Sequence, residues 1–249
     1  MMMKILDYNI YSPHPSEIRA KNVITTIRQR DPDVICLQEV TPTWEKILQE
    51  ELLGDYGFAG EAREEGRDAE YNPVLYKKDA YGLLEEKTFW LSETPEEMSK
   101  LSDSMYYRIC TVTVLCEKGT KRCVRVVSVH MDYIQEAAAK QAAILIGLLR
   151  RETPMPTVFC GDLNTMKWND AYQILARSEF RDVEDVAEEK SVVPTFQKFG
   201  EREDTIDFCF VKDVTVKKFV VEEVKIDGEY PSDHNPLYLE IDLENSAKE

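Results

Sequence analysis

Apolar residues fall in short runs separated by turn and charged residues along the whole chain. The runs Lys4–Ile10, Val34–Leu37, Pro73–Tyr76, Tyr107–Cys116, Arg122–His130, Thr157–Cys160, Ile206–Val211, Val214–Val221 and Leu237–Ile241 read as strands. They are rich in Val, Ile, Tyr, Phe and Cys, which fit a pleated and half-buried surface. Three connecting segments carry helical spacing instead. Ser16–Gln29 places Ile18, Val23, Ile24 and Ile27 on one side. Pro42–Leu52 starts with Thr41 as N-cap and Pro42 at the first helical position, where a missing N–H is harmless. Ile134–Arg150 repeats Ala138, Ala142, Leu145 and Leu149 at helical intervals.

Helices between some strands, with consecutive strands in the middle and at the end, predict mixed sheets with helices outside. No linker, internal repeat or low-complexity block interrupts the pattern, so residues 1–249 are expected to form one domain. The acidic stretches Glu61–Glu70, Asp182–Glu189 and Glu240–Glu249 read as solvated loops or a tail.

Composition adds limits. With 249 residues, 43% hydrophobic and 10% aromatic, the chain has the makings of a sizeable core. Its formal net charge of −16 argues against holding duplex DNA by long-range attraction, although screening would leave room for a local basic groove. No apolar run is long enough for a transmembrane helix, and Met1–Ser12 lacks a signal-peptide core, so a cytoplasmic monomer without integral membrane association is expected. The six cysteines sit in or beside apolar runs with no C-x-x-C pair and read as buried reduced thiols. Cys116 and Cys123 flank a turn at Gly119 and could face each other across a hairpin, but nothing further argues for a disulfide.

The chemistry lies where polar residues interrupt the apolar runs. Asn9 ends the first run and Glu39 follows the second. His130 and Asp132 end a third, and Asp162 and Asn164 follow a fourth. Asp207 lies inside Thr205–Phe210, and Asp233-His234 precedes the last run. An unpaired carboxylate inside an apolar strand is costly, so Asp207 needs a partner. Glu39, Asp162 and Asp233 with the carboxamides of Asn9 and Asn164 are hard oxygen donors, suited to Mg²⁺ or Mn²⁺ rather than Zn²⁺. Two histidines beside them can move protons near neutral pH. Phosphoester hydrolysis uses these parts directly.

Tyr8-Asn9-Ile10, Leu37-Gln38-Glu39-Val40, Val129-His130-Met131-Asp132, Gly161-Asp162-Leu163-Asn164, Ile206-Asp207-Phe208 and Ser232-Asp233-His234 together resemble the ordered motifs of the endonuclease/exonuclease/phosphatase superfamily. Phe89–Pro95 also resembles a segment of its compact bacterial members. The resemblance implies a four-layer α/β sandwich, two packed mixed sheets flanked by helices, and a Mg²⁺-dependent phosphoesterase using an activated water in line. It implies Asn9, Glu39 and Asp233 as the metal group, and Asp162 as the carboxylate that orients or deprotonates water. Asn164 would be a donor to phosphoryl oxygens, and His234–Asp207 a His–carboxylate pair. His130 would be a general acid or transition-state donor, and Asn72 a polar neighbour of that histidine. Ser128 and Lys140 depart from the family, which often has Asn and Arg at those places.

Plainer readings stand beside these. Asn9 and Asp162–Asn164 are each compatible with simple turns, and His14 reads as a surface residue. Trp90 and Trp168 read as core or rim packing, while Arg108 could meet a phosphate or serve a structural ion pair. The charge balance favours a small phosphoester over extended duplex DNA. A nuclease acting on DNA or RNA and a non-catalytic binder are the alternatives.

Overall fold

The computed structural model describes residues 2–67 and 69–243. Strands β1 (Met2–Asn9), β2 (Val34–Gln38), β3 (Tyr56–Ala59), β4 (Val74–Lys77), β10 (Glu189–Ser191), β12 (Thr215–Val221) and β13 (Leu237–Asp242) form one mixed sheet. Its order is β10-β12-β13-β1-β2-β4-β3. Strands β5 (Tyr81–Trp90), β6 (Ile109–Glu117), β7 (Cys123–His130), β8 (Thr157–Asp162), β9 (Arg181–Asp182) and β11 (Asp207–Lys212) form the other. That sheet runs β5-β6-β7-β8-β11-β9. Helices α1 (Glu17–Arg30) and α2 (Pro42–Glu51) cover the first sheet, and α3 (Gln135–Arg151) and α4 (Asp170–Ala176) cover the second. A short α5 (Val183–Val186) follows β9.

The period of two along each strand builds these four layers. Ile5, Val34 and Cys36 of the first sheet meet Val126, Val158 and Cys209 of the second in the central core. Their neighbours Leu6, Ile35 and Leu37 turn outward onto Val23 and Ile27 of α1 and Trp44 and Leu48 of α2. Val127, Val129 and Phe159 turn the other way, onto Ala138, Leu145 and Leu149 of α3. Thr41 accepts the Trp44 amide at the start of α2, as the sequence predicts. The α1 stripe differs at one end: Ile18 is 68% exposed, and Asn22 and Thr26 fill buried places instead.

The parallel pairs position the site. β1 and β2 run parallel across α1, and β7 and β8 run parallel across α3. Each pair therefore delivers both C-terminal ends to the same edge. Asn9 lies opposite Gln38, and His130 opposite Asp162. Antiparallel β11 starts there, with Asp207 opposite Asp162, and β13 starts just after His234.

Several acidic segments depart from their expected solvated state. In Glu61–Glu70, Arg63 and Glu70 are largely buried and ion-paired. In Asp182–Glu189, Asp182 pairs with β11, caps α5 and accepts the Tyr172 hydroxyl at 2.6 Å. Glu240 and Asp242 belong to β13, and the expected tail beyond residue 243 lies outside the described residues. Cys116 and Cys123 are not reduced thiols but a disulfide between β6 and β7, which removes that pair from any argument for a reducing compartment. Cys36, Cys110, Cys160 and Cys209 are free and buried, as read from their apolar surroundings. Among the described residues no helix is long and apolar enough to cross a membrane.

Candidate active site

The strand ends surround a cavity of about 640 Å³ lined by Glu39, His130, Asp162, Asn164, Asp233 and His234, among others. Asn9 sits beneath it as a bracket. Its amide nitrogen donates to Glu39 Oε1 and to Asp162 Oδ2, each at 3.0 Å, and its oxygen accepts the Tyr11 amide at 3.1 Å. Glu39 Oε2 accepts the Ser12 amide at 2.7 Å. Glu39 and Asn164 both have positive φ, 61° and 48°, so the chain turns sharply as it leaves β2 and β8. Such left-handed turns are costly for a residue with a Cβ and persist where surrounding contacts hold them. Here they aim two polar side chains back over the strand ends.

Asp162 is the centre of the arrangement. Its Oδ1 accepts the Asn164 amide at 2.9 Å, while its Oδ2 lies 3.5 Å from His130 Nε2 and 3.7 Å from His234 Nε2. Burial, then repulsion from Asp207, raises its pKa to about 7. Burial also raises Asp233 to about 6, with His234 acting against the shift and Glu39 adding to it. Glu39, His130 and Asp162 offer ligand atoms within 4.8 Å of one another, as do Asp162, Asp207 and His234. Asp162 and Asp233, raised by burial and crowding, mark a site where a divalent cation relieves repulsion, and the oxygen-rich set suits a hard one.

The two histidines have opposite surroundings. His234 Nδ1 lies 2.9 Å from Asp207 Oδ2 and 3.0 Å from its Oδ1. Burial alone would lower its pKa, but Asp207, backed by Asp162 and Asp233, lifts it to about 10. Asp207 is held in turn by Thr195, whose hydroxyl accepts its amide at 3.1 Å. His130 is pushed well down by burial and then by the cations Arg108 and Arg63. Its neutral ring accepts the Asn164 amide N–H at Nε2, 3.1 Å away, which leaves the proton on a buried and unpartnered Nδ1.

The remaining residues singled out in the sequence take other places. Asn72 is buried and donates to the Ile109 carbonyl at 2.9 Å, and it does not line the cavity. Arg108 does line it, immediately before β6, with its side chain only 5% exposed. Ser128 donates to the Leu37 carbonyl at 3.0 Å and accepts from Gln38 at 3.2 Å, bridging the two sheets. Lys140 pairs with Asp103 at the surface, away from the cavity. Trp90 is buried and donates to the Arg63 carbonyl at 2.8 Å, while Trp168 is 76% exposed.

Two contributors escape the sequence reading, and a third takes a different role from the one its place suggests. Arg63 hides in an acidic run, and Tyr106 precedes a strand with no motif around it. Asp132 stands out as a strand-ending acid, but its use is structural: it accepts the Ser104 hydroxyl and the Met105, Tyr106 and Ile134 amides. The aromatic before Arg108, beside an acid that ends a neighbouring strand, is the signal that could have found this loop.

The sequence model of the Endonuclease/Exonuclease/phosphatase family matches residues 8–234. Among curated proteins none matches the chain. The chain is similar to the solved endonuclease/exonuclease/phosphatase of Bacteroides vulgatus, with 28% identity and a TM-score of 0.91 over 98% of this chain and 100% of that one. It is also similar to the mannosyl-6-phosphatase Bt3783 of Bacteroides thetaiotaomicron, with 25% identity and a TM-score of 0.85 over 96% and 99%. The human Nocturnin catalytic domain shares the fold at 15% identity, with a TM-score of 0.76 over 97% and 94%.

Proposed function

The chain belongs to the endonuclease/exonuclease/phosphatase family, whose members hydrolyse phosphoesters, and from that premise we propose a Mg²⁺-dependent phosphoesterase acting on a small phosphoester by in-line attack of an activated water. The observation that carries this reading is Asp162 lying between a neutral His130 and a protonated His234, beside a carboxylate cluster. Glu39, Asp233 and Asn9 would hold the cation. When bound, it supplies polarisation of a phosphoryl oxygen and offsets the cluster's negative charge.

The chain's own groups divide the remaining work. Asp162, its pKa near 7, orients the attacking water and takes its proton. His234 faces Asp162 with Nε2 and carries a positive charge that Asp207 maintains, so it stabilises charge developing on the phosphoryl oxygens. Asn164 and His130 line the same cavity, where the Asn164 amide donates to the Met131 carbonyl and to His130 Nε2 and so orients that ring beside the reacting group. The Bacteroides thetaiotaomicron mannosyl-6-phosphatase, similar over nearly its whole length, supports a small phosphorylated substrate. The net charge of −16 supports the same choice over a nucleic acid.

The test is a phosphoester panel with EDTA, then with Mg²⁺ or Mn²⁺ restored. Hydrolysis is expected only with metal. Asp162→Asn should lower kcat by about a thousandfold and His234→Ala by about a hundredfold or more. Metal-independent turnover, or full activity in either variant, rejects the reading.

A further inference from the structure

The cavity lining carries both signs of charge. Glu39, Glu70 and Asp233 are acidic, whereas Arg108 and Arg63 are cations that act on His130, with Tyr106 beside them. Arg108 is the unusual member. Among the described residues nothing accepts a hydrogen bond from its guanidinium, and its Nε is buried without a partner. The nearest acid, Asp132, keeps Oδ2 3.9 Å from that Nε, beyond hydrogen-bond reach. Asp132 is already committed, since its two oxygens take the Ser104 hydroxyl and three backbone amides.

Arg63 differs in being satisfied: it donates to Glu64 at 3.1 Å and to Glu70 at 2.5 Å. Its guanidinium carbon and that of Arg108 each lie 5.1 Å from the Tyr106 ring centre. The ring therefore fixes both cations in place. A buried guanidinium with unfilled donors is expensive, and a planar fork matches the oxygens of phosphate or carboxylate better than a point charge does. Both arginines bear on His130, and Asp162 bears on Arg108, so the unfilled donors belong beside the reacting group rather than at a remote subsite.

We propose that Arg108, set over the Tyr106 ring, grips a terminal non-bridging oxygen of the scissile phosphoryl group and makes the protein a phosphomonoesterase rather than a diesterase. The inference rests on the phosphoesterase reading and names its substrate class. A monoester near neutral pH carries close to two charges and three terminal oxygens, one more than a diester. With its two terminal oxygens turned to the cation and to His234, a diester would have only its second ester oxygen, a poorer acceptor, left for Arg108. Sites built to hydrogen-bond a substrate group reject analogues lacking it strongly. The reaction adds water across the P–O bond: the water oxygen bonds to phosphorus, the ester oxygen leaves and takes a proton, and the products are an alcohol and inorganic phosphate.

The experiment compares 4-nitrophenyl phosphate with bis(4-nitrophenyl) phosphate at saturating Mg²⁺ on the full chain. The wild type should prefer the monoester by about a hundredfold or more in kcat/KM. Arg108→Met should cut monoester turnover by about thirtyfold and collapse the preference, with Arg108→Lys in between. Inorganic phosphate should inhibit the wild type competitively. The wild-type ratio and phosphate inhibition decide the matter even if Arg108→Met fails to fold, which a thermal melt reports. Equal activity on both esters, equal losses on both, or a loss seen only with substrates bearing a second anionic group overturns the proposal. Absence of all hydrolysis with Mg²⁺ would instead reject the phosphoesterase reading and this one with it.

Discussion

Two histidines in one cavity hold opposite charge states because their neighbours differ, not because their burial does. Both are almost fully enclosed. His234 faces three carboxylates and is lifted to about 10, whereas His130 faces two guanidiniums and is driven down. In the metal-free protein the His234 imidazole should therefore show no titration by NMR between about pH 6 and pH 8. Asp207→Asn removes the dominant attraction, and the His234 titration should then move down into or below that window. Because the folded-state pKa exceeds the unfolded value of 6.5, this pair stabilises the fold fully below that value. That stabilisation is lost as pH rises through about 10, and urea midpoints should fall there in the wild type but not in Asp207→Asn. The sequence shows which polar residues end the strands, and an Asp inside an apolar strand announces that it needs a partner. It does not show Arg63 and Arg108 converging on His130, because residues 63, 108 and 130 meet only after β5, β6 and β7 pair.

At the scale of elements, the site depends on how closely β7 and β8 approach. Gly161 is the clearest constraint: its φ is +155°, and a Cβ there would lie 1.8 Å from the Val129 carbonyl oxygen. No side chain can yield, since the colliding atom is backbone. Gly161→Ala should cost more than about 3 kcal/mol in denaturant unfolding, and residual activity should fall further than stability does, because His130 and Asp162 are paired across those strands. A change below about 1 kcal/mol would show that the strands can part without penalty. Strands with uniform β-type composition, such as β7 and β8, were readable as such. β5 was not: Glu85, Glu86 and Lys87 occupy its exposed middle, because an edge strand tolerates and benefits from charge. The same charge masking made Asp182–Glu189 look solvated, although Asp182 binds Tyr172 and caps α5. Charge in a sequence marks solvent only when no partner lies far along the chain.

For the whole molecule, a net charge of −16 and cations in the cavity lining coexist, and a sum over residues has no means of showing the second. The guanidiniums are largely buried and act within a few ångströms, where salt screens little, while the acidic exterior acts across solvent. A small phosphate monoester crosses that exterior field briefly and with about two charges, but an oligonucleotide bearing the same terminal phosphate brings many more. Raising salt from about 10 mM to about 150 mM shortens the screening length from roughly 30 Å to 8 Å and removes most of that repulsion. The kcat/KM for a short 5′-phosphorylated oligonucleotide should therefore rise with salt over this range, while that for a sugar phosphate changes little. A protein that holds nucleic acid in a basic groove behaves in the opposite way, losing affinity as released counterions become less favourable. A steep fall in oligonucleotide turnover with salt would overturn the small-substrate assignment and favour the alternative nuclease reading, because it would require an extended cationic surface beyond Arg63 and Arg108.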